Sequence, residues 1–107
     1  MGNDKKELEW VAKTILNNFK NLEVKVAKKL GEGQMSRAYL INNELVFRFP
    51  KNKDGATDTE KEINSLTLLK KYISLNIPEF IYIGRQDDGF PFVGYQIFTG
   101  EFIYYME

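Results

Sequence analysis

At 107 residues the chain is one small domain or part of a larger one, and its 43% hydrophobic and 14% aromatic content is enough to build a core. Fifteen basic and fifteen acidic residues cancel, which removes a net field for nucleic acid or anionic lipid, and no apolar run approaches the roughly 18 residues of a membrane span. The absence of cysteine and histidine excludes disulfides, thiol chemistry and histidine-based acid–base or metal chemistry within these residues, and with no signal-peptide core after Met1 a cytoplasmic location is expected.

The first element runs from Lys5 to about Lys20 as an amphipathic helix, with Asn3 or Asp4 as its cap. Leu8, Val11, Ile15 and Phe19 share its apolar face, and helical spacing puts Trp10 on the far side. Leu22 to Leu30 alternates imperfectly through Val24 and Val26 and reads as a half-exposed strand that Gly31-Glu32-Gly33 breaks. Arg37 to Ile41 is a second strand, and Asn42-Asn43 is a turn pair that tolerates positive φ. Leu45, Phe47 and Phe49 alternate with Val46 and Arg48 in a third strand closed by Pro50. A polar loop over 51–56 leads to a second helix reaching about Ile73, with Thr57 and Glu60 as a capping box and Ile63, Leu66, Leu69 and Ile73 as its stripe. Asn76-Ile77-Pro78 ends that helix, Phe80 to Gly84 and Phe92 to Phe98 are the last two strands, and Arg85 to Gly89 is the turn between them. A five-stranded antiparallel sheet with helices against it is α+β.

Three features in this order could carry chemistry. Gly31 and Gly33 let backbone N–H groups approach an anion without Cβ interference, and Ser36 adds a hydroxyl, although Gly-x-Gly alone also describes an ordinary hairpin. Arg48 sits in mid-strand between two phenylalanines and is costly to bury unpaired: either its side of the sheet faces solvent, or it faces a cleft where Glu62, on the apolar face of the second helix, is the natural carboxylate. Gly94 to Phe98 runs out of the sheet into Thr99-Gly100, and an exposed strand end offers backbone groups that can pair with the edge of a purine, although taken alone it also describes an ordinary edge strand.

Together these resemble the small lobe of a protein-kinase-like fold. Within that superfamily the chain resembles the aminoglycoside phosphotransferase family, above all its 2''-phosphotransferases. The resemblance covers nearly the whole chain: Gly31-Glu32-Gly33 with Arg37-Ala38-Tyr39, Val46 to Lys51, Glu62-Ile63-Asn64, Ile77-Pro78-Glu79 with Ile83-Gly84, and Phe92 to Gly100. It implies that Gly31 to Ser36 is the nucleotide loop, with Gly31, Gly33 and Ser36 over the phosphates. Arg48 takes the place of a phosphate-contacting cation that is usually lysine, and Glu62 is its helix partner. Gln96 and Phe98 make hinge contacts to the purine, with Tyr95 behind it narrowing the pocket in favour of GTP. The implied cofactor is GTP or ATP with Mg2+, whose ligands belong to the family's second lobe.

That second lobe also carries the family's His-x-Asp loop and a later aspartate motif, needed to pass the γ-phosphoryl group to an aminoglycoside hydroxyl. Here there is no histidine, and Asp4, Asp54, Asp58, Asp87 and Asp88 fall in expected caps or loops. Residues 1–107 are therefore expected to be one N-lobe without the catalytic lobe, inactive alone, with no catalytic or metal-ligating residue of its own. The aminoglycoside is expected as a partner only of a complete enzyme, and the aromatic tail from Phe102 is expected to favour self-association. The alternative is a non-catalytic protein-interaction module that retains the fold.

Overall fold

The computed structural model describes residues 3–72 and 81–96. Its elements follow in the order α1 (Asn3–Asn18), β1 (Ala27–Glu32), β2 (Ser36–Ile41), β3 (Leu45–Pro50), α2 (Lys53–Tyr72), β4 (Tyr82–Arg85) and β5 (Pro91–Gln96). The five strands form one antiparallel sheet in the order β1-β2-β3-β5-β4, which puts β3 at its centre. The expected α+β class holds. The expected end of α2 at 76–78, and the residues Phe80, Phe98 and Phe102 to Met106, lie outside the described residues.

Period-two alternation gives the sheet two faces. Tyr39, Ile41, Leu45, Phe47, Phe49 and Phe92 are buried on one of them, together with Val11 and Ile15 of α1. Phe19 closes this core, with its ring 5.0 Å from Tyr82 and 6.0 Å from Phe92 in edge-on geometry. Trp10 belongs to the same layer: its ring stands edge-on to Phe49 at 5.2 Å, and the Arg37 guanidinium lies 5.9 Å from its centre. The expectation that Trp10 faces away is corrected, because α1 covers a sheet wide enough for its flank to reach β3 as well as its central stripe.

Polar contacts fix α1 in place. Tyr39 donates its hydroxyl to Glu7, and Lys29 reaches the same carboxylate at 3.1 Å. That hydroxyl, more than the nearby cations, holds the Glu7 carboxyl below the usual carboxylate range; burial, with Glu7 second, pushes the Tyr39 phenol up. At the other end of α1, Asn18 pairs with the backbone of Arg85, donating to its carbonyl and accepting from its N–H, both at 2.9 Å. A side-chain amide thus supplies hydrogen bonds to β4, an edge strand.

Two expected boundaries move. β1 starts at Ala27 and continues through Gly31 and Glu32, so the glycine segment does not break it and the turn falls at Gly33-Gln34-Met35. The stretch ahead of β1 is held by a side chain instead of a strand ladder. Asn42 accepts from the N–H groups of Lys25 (2.7 Å) and Val26 (3.2 Å) and donates to the Glu23 carbonyl (2.9 Å). It does so from the turn, where Asn42 and Asn43 have φ of 55° and 59° as expected. The second helix starts at Lys53, inside the expected loop, because Asn52 caps it: its Oδ1 accepts from the Gly55 N–H at 2.8 Å. Thr57 and Glu60 lie within the helix, and the expected capping box does not form there.

Gly94 pairs with Phe47 across the centre of the sheet, and a Cβ at that position would fall 2.5 Å from the Phe47 ring. With Phe47 fully buried the ring has no room to retreat. Gly94→Ala is expected to destabilise the fold by about 1–3 kcal/mol, the usual cost of overpacking a core. A chemical-denaturation midpoint equal to that of the wild type would refute this account of the glycine.

Candidate functional site

The opposite face of the sheet carries Ala38, Val46, Arg48 and Val93 at paired positions, with α2 against part of it. Beyond α2's first turn this face opens into a cleft of about 620 Å³, a size suited to a small molecule. Its walls are Leu30 to Ser36, Ala38 and Arg48.

An irregularity in β1 prepares the cleft. Lys29 pairs with Tyr39 and Gly31 with Ala38, so Leu30 is an extra residue opposite no partner. A bulge of this kind lets Leu30 and Gly31 line the cleft in succession, while Lys29 stays on the α1 face and reaches Glu7. Leu30 is 42% exposed, an apolar side chain held open beside the small Ala38. Together they offer a surface on which a flat ring could lie.

The loop that follows is held by its carbonyls. Gly33 accepts from Lys51 Nζ at 3.0 Å, Gln34 from Asn52 Nδ2 at 3.1 Å and Met35 from the Lys51 N–H at 2.8 Å. In a trans peptide the N–H lies opposite the C=O. The N–H groups of Gln34, Met35 and Ser36 are thereby turned away from the junction of β3 and α2. Successive N–H groups on one side of a loop make a concavity suited to an anion.

Arg48 supplies the charge. It donates through Nη2 to Glu62, with its own side chain only 16% exposed and that of Glu62 43% exposed. Its paired neighbours, Ala38 and Val93, are small enough to leave space for the guanidinium. Glu62 arrives there because α2 sets Ile63 and Leu66 half-buried along the same helix. The pairing expected from the sequence forms.

Of the sequence-derived candidates, Gly31, Gly33, Ser36 and Arg48 line one cleft, and Glu62 stands behind Arg48. Tyr95 occupies a half-buried position on the same sheet face, paired with Val46, while Gln96 is exposed at the end of β5 and paired with Leu45. Among the described residues neither lines the cleft, and Phe98 lies outside them. Sequence reasoning missed Leu30 and Ala38 as cleft walls and Lys51 and Asn52 as the support of the loop; Gln34 and Met35 fall within the loop it had singled out. Ala38 stood within a quoted motif; the bulge that turns Leu30 inward depends on strand pairing and has no signature of its own. Among the described residues no group of three or more metal-ligating side chains converges.

Glu32 lies on the rim, paired with Lys29 and Lys51, each at 2.6 Å. Hydrogen bonds from these two ammonium groups pull its carboxyl down from 4.5 to about 2. A carboxyl depressed by folding stabilises fully above its ordinary value and loses that contribution as pH falls towards the folded one. In a carboxyl-resolved NMR titration Glu32 is expected to protonate near pH 2, and Glu32→Gln to flatten part of the stability loss between about pH 4.5 and 2. A titration midpoint at the ordinary 4.5 would show that the two lysines do not hold it.

No protein-family model matches the chain, and no curated protein does. Solved structures do. The GDP–kanamycin complex of APH(2'')-IIIa is 41% identical with a TM-score of 0.74, over 85% of this chain and 31% of that one. The GDP complex of wild-type aminoglycoside 2'-phosphotransferase-IIIa is 40% identical with a TM-score of 0.75, over 88% and 31%. ADP-bound APH(2'')-Ib is 25% identical with a TM-score of 0.60, over 78% and 27%. The chain thus spans about a third of the length of the enzymes it matches. Its fold and sequence place it in the aminoglycoside phosphotransferase family, as a match to the N-terminal lobe of the 2''-phosphotransferases.

Proposed function

We propose that this chain is the nucleotide-binding lobe of an aminoglycoside O-phosphotransferase, taking GTP or ATP with Mg2+. The observation that supports it most is the convergence of the glycine loop and the Arg48–Glu62 pair on one cleft. Leu30 and Ala38 would lie against one face of the base, the loop N–H groups would meet the phosphates, and an arginine fork can hold a phosphate oxygen and Glu62 at once. Structural relatives complexed with GDP or ADP support a purine nucleotide as the ligand. Tyr95, on the cleft face of β5, is the residue proposed to narrow the base pocket towards GTP.

In the complete reaction the γ-phosphoryl group would pass to an aminoglycoside hydroxyl. Mg2+ would neutralise charge on the phosphates, and positioning would supply most of the remaining catalysis. The 107 residues contain no histidine for a His-x-Asp base. Alone they are proposed to bind nucleotide without transferring phosphate.

An amide NMR titration of the chain with Mg-GTP, then Mg-ATP, tests this reading. Localised shifts at Gly31 to Ser36 are expected; a dispersed spectrum indifferent to both nucleotides would reject it. Arg48→Ala is expected to weaken Mg-GTP at least roughly tenfold, the weight of one charge-assisted hydrogen bond, while leaving guanosine nearly unaffected. Glu62→Gln is expected to act in the same direction by a smaller factor. Equal losses for triphosphate and nucleoside would remove Arg48 from the phosphate role.

A further inference from the structure

Residues 51 and 52 connect the loop to the helix that carries Glu62, and no motif in the sequence marked them for that role. Three consecutive loop carbonyls accept hydrogen bonds from these two residues. Asn52 uses both ends of its amide: Nδ2 donates to Gln34 of the loop, and Oδ1 caps α2 by accepting from Gly55. Gly55 is buried under the loop, and a Cβ there would collide with the Met35 carbonyl, so the loop rests directly on the first turn of α2. Gly55 and Glu62 are seven residues apart, about two helical turns, which puts them on the same face of one rigid element. The buried Thr59 lies between them and returns its hydroxyl to the Gly55 carbonyl at 2.9 Å.

We propose that Lys51 and Asn52 are positioning residues of the cleft, latching the carbonyl side of the glycine loop to α2 so that the loop and the Arg48–Glu62 pair keep a fixed separation. The consequence for binding rests on the nucleotide-lobe reading, whereas the latch itself is a property of the free chain. A triphosphate needs the loop donors and the guanidinium at the same time, so a loose loop forfeits part of the attraction even when every group is present. Lys51 adds a second restraint, since its ammonium joins the Gly33 carbonyl to the Glu32 carboxylate across the base of the loop.

Asn52→Ser separates the latch from the helix cap. Serine is as good a cap as asparagine but cannot reach the Gln34 carbonyl, and the exchange leaves the charge unchanged. Asn52→Ala loses both functions. The full 107-residue chain is compared in three forms by thermal melting, by 15N relaxation at Gln34 and Met35, and by titration with Mg-GTP and with guanosine. In Asn52→Ser the melting temperature is expected to stay near wild type, the loop order parameters to fall from about 0.85 towards 0.6, and Mg-GTP to weaken roughly three- to tenfold with guanosine unchanged. Lys51→Met is expected to loosen the same amides and serves if Asn52→Ser folds poorly. Unchanged loop order in both variants overturns the latch. Loosened loops with equal loss of Mg-GTP and guanosine overturn its positioning role. A wild-type chain that binds neither ligand, with a loop that still loosens on substitution, keeps the latch and removes the nucleotide reading.

Discussion

A guanidinium in the central strand of the sheet is the constraint on which the cleft side of this molecule depends. Arg48 stands between Ala38 and Val93 with little solvent access, and left unpaired its charge would be costly to bury. Glu62 meets that requirement only if α2 lies against the sheet in one rotational setting. With that setting fixed, Gly55 lies about two turns before Glu62 on the same face of α2, and the glycine loop has a surface to rest on. Because Glu62 remains partly open to water, solvent screening limits what the pair contributes to stability. Its larger effect is to specify where α2 sits.

The sheet divides its duties by face. Aromatic and aliphatic side chains on the α1 side form a packed layer in which Phe49 and Phe92 lie stacked with ring centres 4.6 Å apart. Polar contacts around Glu7 and Asn18 secure both ends of the covering helix. Since one face supplies a core, the other can keep small residues, a charged strand position and an open cleft without losing the fold. Sites made in this way are held by rigid strands while their walls remain accessible.

Much of this was legible in the sequence because local chemistry and global fold agree there. Leu45, Phe47 and Phe49 alternate as a half-buried strand must, Asn42-Asn43 adopts the conformation asparagines tolerate, and the Arg48–Glu62 pair followed from the cost of burying charge. The misses have physical reasons of their own. Thr57 with Glu60 is a legitimate capping signal, but Asn52 also bonds the loop, and the combined contacts start the helix earlier. Trp10 lies off the central stripe of its helix, yet the sheet is broad enough to take it. The bulge at Leu30 exists only as a mismatch between two strands, so no single-strand pattern can show it.

The charges around the cleft also bear on how it would select a ligand. Arg48 faces Glu62, Lys51 reaches Glu32, and Lys29 reaches both Glu32 and Glu7, so these three cations stand among three carboxylates. Such an arrangement lacks the surplus positive field that gathers any polyanion indiscriminately. On the proposed reading, a phosphate must therefore be recognised by position: by N–H groups aligned when their carbonyls are held at Lys51 and Asn52, and by an arginine whose planar fork can serve two acceptors. Shape then matters more than net charge. That places the energetic weight on the rigidity of the loop, and the loop is rigid only so far as α2 is held by the carboxylate that fixes it against Arg48.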